Sequence, residues 1–566
     1  MSTAKLRLAI LTGSDSEVTC LTIERLTQLS GVEVCGILLD TERSSLKRRW
    51  RNLWRNIRRE GISYLWFRFW EGICDTVEAW ASRVVPEQEV KKLLRESFPG
   101  RPFSLEDFTR LYGIPLIDVG NLNNQPSRES LQQLQPDLGI VVGTRVLKPA
   151  TFSLPRLGCI NLHKGRVPEY RGQPAGFWEI YDHQRDAGVT VHFVDDGLDT
   201  GDVVGEAVVP IHRKDSPDTL RQKLDLCGAD LLAHCVSQLA DGTAIRRPQP
   251  KSNHKPRTSP TRRQRLAVQQ KLAQAGRPQP RWVHVLKTLH YLGLYHLGIY
   301  RFVRAVHQRS LKGRACILLY HRVNNSTCDS LTTRVDRFAE HLVTMRQHYS
   351  IVDTGLIVTR VKEDGRLPGS VVAIHFDDCY RDVYTNAAPL LNHSQVPACA
   401  FLSSGFIDTD HVFPHDAGKY DFPLENLKSG EVMELVEKGI EVGSHTVNHA
   451  DLGRVSLDEA KREVEQSKRD LAQILGRPVT LFSFPYGRKW NIRPEVAELV
   501  RRAGYHAMFS AYGGYVNGRA DLFDIRRIGM CGQYRALDLL MDIEGLSLGA
   551  WKFRWTGPQA RPSVSQ

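Results

Sequence analysis

Short apolar runs alternate with longer mixed stretches through most of the chain. In the first half they fall at residues 6–13, 32–40, 138–142, 159–162, 189–194 and 203–210. Between the first two, Ser14, Asp15 and Ser16 offer N-caps to a helix reaching about Leu29. The second half repeats the pattern at 315–323, 371–376, 396–403, 440–443, 479–485 and 506–511. Amphipathic stretches lie between these runs. One is 456–475, opened by Ser456 and Glu459 as a capping box, and another is 494–503, with Pro494 in its first turn. Strand, helix, strand is the rhythm of a parallel sheet, so both halves are predicted to be α/β. The first half reads as an open sheet and the second as a parallel barrel with its chemistry at the carboxyl ends of the strands. No Gly-x-Gly-x-x-Gly follows the first strand, which excludes a dinucleotide fingerprint.

At 566 residues the chain is too long for one core, and 41% hydrophobic with 25% charged residues is the balance of a folded protein. No apolar run is long enough to span a bilayer. Lys5 and Arg7 interrupt the first apolar stretch, which argues against a secretory signal. Eleven cysteines without a Cys-x-x-Cys pair read as reduced thiols, and a cytoplasmic protein is expected.

The net charge of +13 is unevenly placed. Residues 242–328 hold 18 Lys or Arg and no acid, and residues 41–70 hold 9 basic and 2 acidic residues. These stretches sum to +25, so the rest of the chain carries 13 − 25 = −12. Trp50, Trp54, Trp66, Trp70 and Trp80 lie in or beside 41–70, with Tyr64, Phe67 and Phe69. Within 242–328, Trp282, Leu286, Leu289, Ile299, Val303 and Val306 recur near helical spacing beside Arg301 and Arg304. Arg with Trp on amphipathic helices suits a lipid headgroup interface, and a packed helix with a solvated basic face is the competing reading. Nucleic acid fits the charge, but no motif for it is present. The Pro-, Gln- and Arg-rich stretch 246–281 reads as a linker between domains.

Candidate chemistry in the first half sits at strand ends. Asn161 and His163 alternate around Leu162 and so share one face of a strand. The loop Lys164 to Gly172 follows, and Asp195-Asp196-Gly197-Leu198-Asp199-Thr200-Gly201-Asp202 closes the next strand. An amide donor, an imidazole and a carboxylate make a workable acyl-transfer set: the amide faces a developing oxyanion, the imidazole moves a proton and the carboxylate orients it. In Asn161-Leu162-His163, the Pro-x-Tyr-Arg-Gly loop and Leu198-Asp199-Thr200-Gly201, residues 1–245 resemble the folate-dependent formyltransferases. The resemblance implies a Rossmann-like fold, N10-formyltetrahydrofolate as donor and a primary amine as acceptor. It places Asn161 and His163 on the formyl carbonyl, Asp199 in proton transfer, and Thr144, Arg145, Val146, Leu147 and Asp195 at the folate. The basic Trp-rich insertion at about 41–100 departs from a compact transferase. No second β-rich domain follows directly, unlike the methionyl-tRNA formyltransferases, which argues against a tRNA acceptor.

In the second half Asp377-Asp378 ends one strand and His445-Thr446-Val447-Asn448-His449 ends another. Two His at i and i+4 can meet one metal from a helical turn, and a carboxylate completes a three-ligand site with open positions. The adjacent Asp is left as a base, and Tyr320-His321 supplies an imidazole as acid. Through His375 to Tyr380, Ser444 to His449 and Phe482 to Gly487, residues 313–545 resemble the polysaccharide deacetylases of the NodB-homology group, with a distorted (β/α) barrel. That resemblance implies Asp377 as general base, Asp378, His445 and His449 as ligands of a divalent metal (zinc first), His321 as acid and the Tyr486 N–H at the oxyanion. Cys379 stands in place of the usual Gly, and Ser483 in place of an Arg that orients the base, a part left to Arg526 or Arg527. The resulting organisation is 1–245, a linker with a basic amphipathic helix at 246–312, 313–545, and a tail at 546–566. One chain with both sets is expected to replace N-acetyl by N-formyl on an amino sugar, carried on a lipid or a nucleotide. The alternatives are halves acting on different substrates, or a membrane-surface protein with one active half. The membrane surface named here is the inner face, reached through the basic helices.

Overall fold

The computed structural model describes residues 5–42, 46–213, 215–250, 255–274, 281–310, 313–327, 329–363, 366–420, 422–532 and 534–548. The expected tail from residue 549 on, and 251–254, 275–280 and 311–312 of the expected linker, lie outside them. The chain divides into two compact units, one of residues 1–73 and 100–281, the other of 74–99 and 282–566.

The first unit is built on a seven-stranded sheet. Its strands are β1 (Leu6–Thr12), β2 (Val32–Leu39), β3 (Leu116–Asp118), β4 (Leu138–Val142), β5 (Cys159–His163), β6 (Asp186–Phe193) and β7 (Val203–Pro210), in the order β3-β2-β1-β4-β5-β6-β7. The sheet is parallel from β3 to β5 and antiparallel from β5 through β7. Its apolar runs are continuous because both faces are buried: Leu6, Leu8 and Ile10 join one core cluster, Ala9 and Leu11 the other. Each Leu or Ile among them contributes about 1.5–3 kcal/mol when fully buried. Order reverses between β1 and β4, and the crevice at their carboxyl ends is where open α/β sheets bind ligands. A Cβ on Gly13 would stand 3.0 Å from the Gly143 carbonyl oxygen, so a larger residue there would press the two strand ends apart.

Ser16 caps the helix Glu17–Thr27, its hydroxyl accepting from the Thr19 N–H. The insertion after β2 is helical, with helices Leu46–Glu60, Ser63–Ser82 and Glu87–Ser97. The expected linker is partly integral to the first unit. Its helix Arg262–Gln274 packs on helix Phe177–Tyr181 with Val268 buried, and Arg257 pairs with Gly172 through the backbone. Composition missed this because one buried valine and two backbone bonds suffice to dock a polar segment.

In the second unit, β8 (Arg314–Tyr320), β9 (Ser350–Ile351), β10 (Ser370–Phe376), β11 (Ala398–Leu402), β12 (Ile440–Ser444), β13 (Leu481–Ser483), β14 (Ala507–Phe509) and β15 (Ile528–Gly529) form one parallel sheet. The order is β14-β13-β12-β11-β10-β8-β15, with β9 beside β10. Among the described residues the edges β14 and β15 share no ladder and are linked through an isolated bridge from Phe509 to Ile525, so the barrel is a curled half-barrel. Register lines up the strand ends: Phe376 faces Tyr320, Leu402 faces Ser444, and Ser444 faces Phe482. Asp377, His321, His445 and Ser483 therefore leave the same edge of the sheet within a residue of one another. Helix Leu457–Leu475 carries only half of the expected capping box, the Ser456 hydroxyl accepting from the Glu459 N–H at 3.2 Å.

Candidate active sites

In the first unit the pleat of β5 sends Leu162 into the core and turns Asn161 and His163 the other way. Antiparallel pairing sets His192 of β6 opposite Asn161. The His192 Nδ1–H donates to the Phe193 carbonyl at 2.8 Å, which leaves its Nε2 to accept from the Asn161 amide at 3.2 Å. The same amide nitrogen donates to Asp199 Oδ1 at 3.4 Å. The His163 Nε2–H donates to the Tyr170 carbonyl at 2.9 Å, so its Nδ1 is turned toward Asp199 Oδ2, 3.5 Å away. Asp199 holds a left-handed turn, φ 55°, and also accepts from the Gly172 N–H at 3.1 Å. The Tyr170–Gly172 loop thus acts through its backbone, fixing one end of the imidazole and one oxygen of the carboxylate.

Burial pushes the His163 imidazole down, against the pull of Asp199. Burial would raise Asp199, but His192, His163 and the Gly172 N–H outweigh it and keep the carboxyl below its usual range. The arrangement is a neutral imidazole with an open Nδ1 facing a carboxylate, beside an amide donor. It can take a proton from an amine and stabilise the imidazolium that forms.

Around this set, Arg145 is held by both oxygens of Asp40 and by Glu42, with 2.6 Å to Glu42 Oε2. Leu147 is buried and Val146 exposed, and the Thr144 hydroxyl is buried without a partner at the strand crevice. Asp195 Oδ1 accepts from the Gly197 N–H and the Thr200 hydroxyl at 3.1 and 2.7 Å, shaping the turn that carries Asp199. Arg257 pairs with Asp182, which also accepts from the Tyr170 hydroxyl, so the expected linker braces the Tyr170 loop. Sequence reading passed over His192 and Arg257. The first was legible as a histidine on an alternating strand, the second had no signal.

In the second unit Asp377 is held by Arg527 in a bidentate pair, 2.7 Å on each side, and by the Ser483 hydroxyl at 3.0 Å. Arg527 is fully buried and also binds Ser483 and the Ser510 carbonyl. Arg526 instead faces Asp524 at 3.7 Å, half exposed. The part left open to either arginine by Ser483 falls to Arg527. Burial alone would raise Asp377, but Arg527, with His445 and His321, brings it down to about 2. Three donors reach this carboxylate, which leaves acceptor capacity on Oδ1.

Asp378 takes a left-handed turn, φ 77°, and is buried with neither oxygen accepting a hydrogen bond. His449 Nε2 stands 3.3 Å and His445 Nε2 3.7 Å from its Oδ1. The donor atoms of Asp378, His445 and His449 lie within 4.8 Å of one another. The His445 Nδ1–H donates to the Ser483 carbonyl at 2.8 Å, which aims a lone-pair Nε2 at Asp378. Burial pushes the His445 imidazole down to about 4, and Asp378 is held well below the carboxylate range, its burial outweighed by His449, His415 and His321. A buried carboxylate with two orphaned oxygens and converging lone pairs fits a divalent cation.

The two histidines do not share a helical turn. Residues 445–449 are an irregular loop with Thr446 and His449 at positive φ, tied by Glu463, which accepts from the Val447 and Asn448 N–H groups at 2.9 Å. The i, i+4 spacing is common to helices and such loops, and Glu463 is too distant in sequence to be read with it. His321 is half-buried with its Nδ1 without a partner, and burial pushes its imidazole down against the pull of Asp378 and Asp377. The Tyr486 backbone is left-handed, φ 60°, with its ring 4.8 Å from that of His449. Cys379 is buried, and burial pushes its thiol up. Sequence reading missed His415, whose Nε2 lies 2.9 Å from the Tyr380 hydroxyl and 3.7 Å from Asp378 Oδ2.

The comparisons with known proteins divide along the same line. The formyl transferase family profile matches residues 87–236, and the polysaccharide deacetylase profile matches residues 364–508. The methionyl-tRNA formyltransferase of Thermodesulfovibrio yellowstonii is 31% identical over 138 residues, 24% of this chain and 45% of that protein. That of Thermosynechococcus vestitus is 36% identical over 140 residues, 24% of this chain and 42% of that protein. The chain thus spans less than half the length of these relatives. Among solved structures, the Streptococcus pyogenes deacetylase in complex with acetate is similar at 22% identity and a TM-score of 0.36, over 41% of this chain and 99% of that one. Two family regions therefore stand on one chain, a formyl transferase region at 87–236 and a polysaccharide deacetylase region at 364–508.

Proposed function

We propose that the protein removes an N-acetyl group from an amino sugar and formylates the freed amine with N10-formyltetrahydrofolate, the sugar being carried on a lipid or a nucleotide. The observation that supports this reading most is that both constellations are intact, Asn161, His163 and Asp199 in one unit and Asp377, Asp378, His445, His449 and His321 in the other. Each acts on an N-acyl bond, and the product of one is the acceptor of the other. Between Pro210 and Arg314 the described residues hold no strand longer than an isolated bridge, which favours a sugar over a tRNA acceptor.

In the deacetylase step Asp378, His445 and His449 would hold a divalent cation, for which one carboxylate and two imidazoles suit zinc. When bound, the cation acts as a Lewis acid on water and on the amide carbonyl. Asp377 takes the proton of the attacking water on its free Oδ1 position, kept anionic and oriented by Arg527. His321 hands a proton to the leaving amine, and the Tyr486 N–H steadies the oxyanion. In the transfer step the Asn161 amide gives up its long contact with Asp199 at 3.4 Å to donate to the formyl oxygen, and His163 Nδ1 takes the proton of the attacking amine while Asp199 holds the imidazolium. Thr144 to Leu147 and Asp195 line the strand crevice for the folate.

The test is mass spectrometry of N-acetylamino sugars, on a nucleotide and on a polyprenyl phosphate, incubated with zinc-loaded protein and N10-formyltetrahydrofolate. A product lighter by one methylene is expected. No change on either carrier, with the free amine still formylated, would mean that the two halves serve different substrates.

A further inference from the structure

The insertion after β2 turns a strongly apolar face outward. Along helix Ser63–Ser82 and the residue before it, Ile62, Leu65, Trp66, Phe69 and Trp70 recur as one helical stripe, and all are exposed, Trp66 by 70% and Ile62 by 74%. On helix Leu46–Glu60, Leu46, Trp50 and Trp54 form a second exposed stripe at four-residue spacing. An ordinary surface scatters single apolar residues, whereas eight large ones within 25 positions make a patch of the kind that marks an interaction site.

The opposite face of the hairpin is already engaged. The Asn56 amide donates to the Tyr64 hydroxyl at 3.0 Å, and Arg265 lies over the Phe67 ring. Glu60 accepts from the Arg262 N–H at 2.9 Å, while Glu71 pairs with Arg68 and Arg265 at 2.6 and 3.4 Å. Both carboxylates near the stripes are thus consumed inward. What remains outward on the first helix is basic: Lys47, Arg49, Arg51, Arg55 and Arg58 are exposed beside Trp50 and Trp54.

We infer that this helical hairpin docks the protein on an anionic lipid bilayer. Indole rings and the Ile62, Leu65 and Phe69 side chains enter the headgroup boundary, and the guanidinium groups meet lipid phosphate. Bases can stack on indole rings but offer nothing to the exposed Leu46, Ile62 and Leu65, which demand an apolar medium, and the unbalanced positive charge demands an anionic one. A second copy of the hairpin would set like charges against each other. The inference stands independently of the reaction proposed above.

The test is sedimentation of the full chain with vesicles of phosphatidylcholine alone or mixed with phosphatidylglycerol, read together with quenching of tryptophan fluorescence by brominated lipid. Binding to the mixed vesicles, with quenching, is expected, and salt should weaken it. At about 1 kcal/mol for each basic residue near the surface, Arg51→Glu with Arg55→Glu should weaken binding by at least tenfold. Trp66→Ser with Trp70→Ser should reduce both binding and quenching. Neither pair should alter formylation of a soluble amine, so loss of docking and loss of chemistry are read separately. Absence of binding to the mixed vesicles, or binding that both pairs leave unchanged, would overturn the inference. So would a lipid-free dimer that the tryptophan pair dissociates, or binding to single-stranded nucleic acid with none to vesicles.

Discussion

The two candidate sites solve the problem of a buried carboxylate in different ways. Asp199 accepts from Asn161 and Gly172, and two imidazoles stand within 3.6 Å of it. All its partners come from one 39-residue stretch, 161–199. Asp378 has no hydrogen bond to either oxygen, and its companions arrive from strand ends spread over 321–449. A carboxylate satisfied by its own loop needs no guest, whereas one left bare among imidazole lone pairs fits a cation. Beside it, Asp377 has three donors where Asp378 has none. Two adjacent acids on one turn are thereby set to different tasks.

Breaking the Arg527 pair should have the largest effect. Arg527→Met leaves Asp377 buried without its countercharge, which costs about 3–5 kcal/mol in the second unit. Deacetylation should fall about a hundredfold to ten-thousandfold as the base loses its orientation, with formyl transfer to a supplied amine unchanged. Denaturant midpoints and the two assays check this. An intact deacetylase rate would remove Asp377 from the role of base.

Asp199→Asn is the matching break in the other site. It keeps the shape but withdraws the charge that faces His163 Nδ1, so formyl transfer should drop about a hundredfold or more. Stability should change less than with Arg527, because no charge is left buried unpaired and one of the two donors to Asp199 retains an amide oxygen. A thermal melt with both rates measures the contrast, and a larger loss of stability here than in Arg527→Met would reverse the comparison.

A smaller effect belongs to Glu179, buried on helix Phe177–Tyr181 and raised by that burial to about 7 from 4.5. The folded state holds its proton more tightly than the unfolded state, so the first unit should lose stability as pH rises from 4.5 through 7. The loss is on the order of 3 kcal/mol. Glu179→Gln should flatten that slope. Hydrogen exchange in peptides of the first sheet, followed across this pH window, would show it, and an unchanged slope would assign the dependence elsewhere.

Much of both folds is legible in the sequence, because strands buried on both faces leave unbroken apolar runs. The runs at 138–142 and 203–210 coincide with strands, and those at 371–376 and 440–443 fall within one residue of strand limits. Short strands such as Leu116–Asp118 and Ile528–Gly529 carry too few residues to stand out. Strand pairing is another matter. Nothing local to 159–163 says that its neighbour runs antiparallel, and with that pairing His192 comes to face Asn161. Motif residues were found because their chemistry is concentrated at strand ends. Their supports were not: Glu463, His415 and Arg257 act from distant segments with ordinary local surroundings. Arg527 was half legible, as one of two adjacent arginines expected to replace an arginine missing at Ser483, and its burial decided between them.

The proposed function requires two separate reaction centres on one chain, of which one depends on a cation. The most direct measurement follows both reactions in the same protein while a chelator removes divalent metal and zinc is then returned. Amide hydrolysis is expected to be lost and regained with zinc, while formyl transfer to a supplied amino sugar continues unchanged throughout. Loss of both reactions together in protein that remains folded, or hydrolysis that persists without metal, would contradict it.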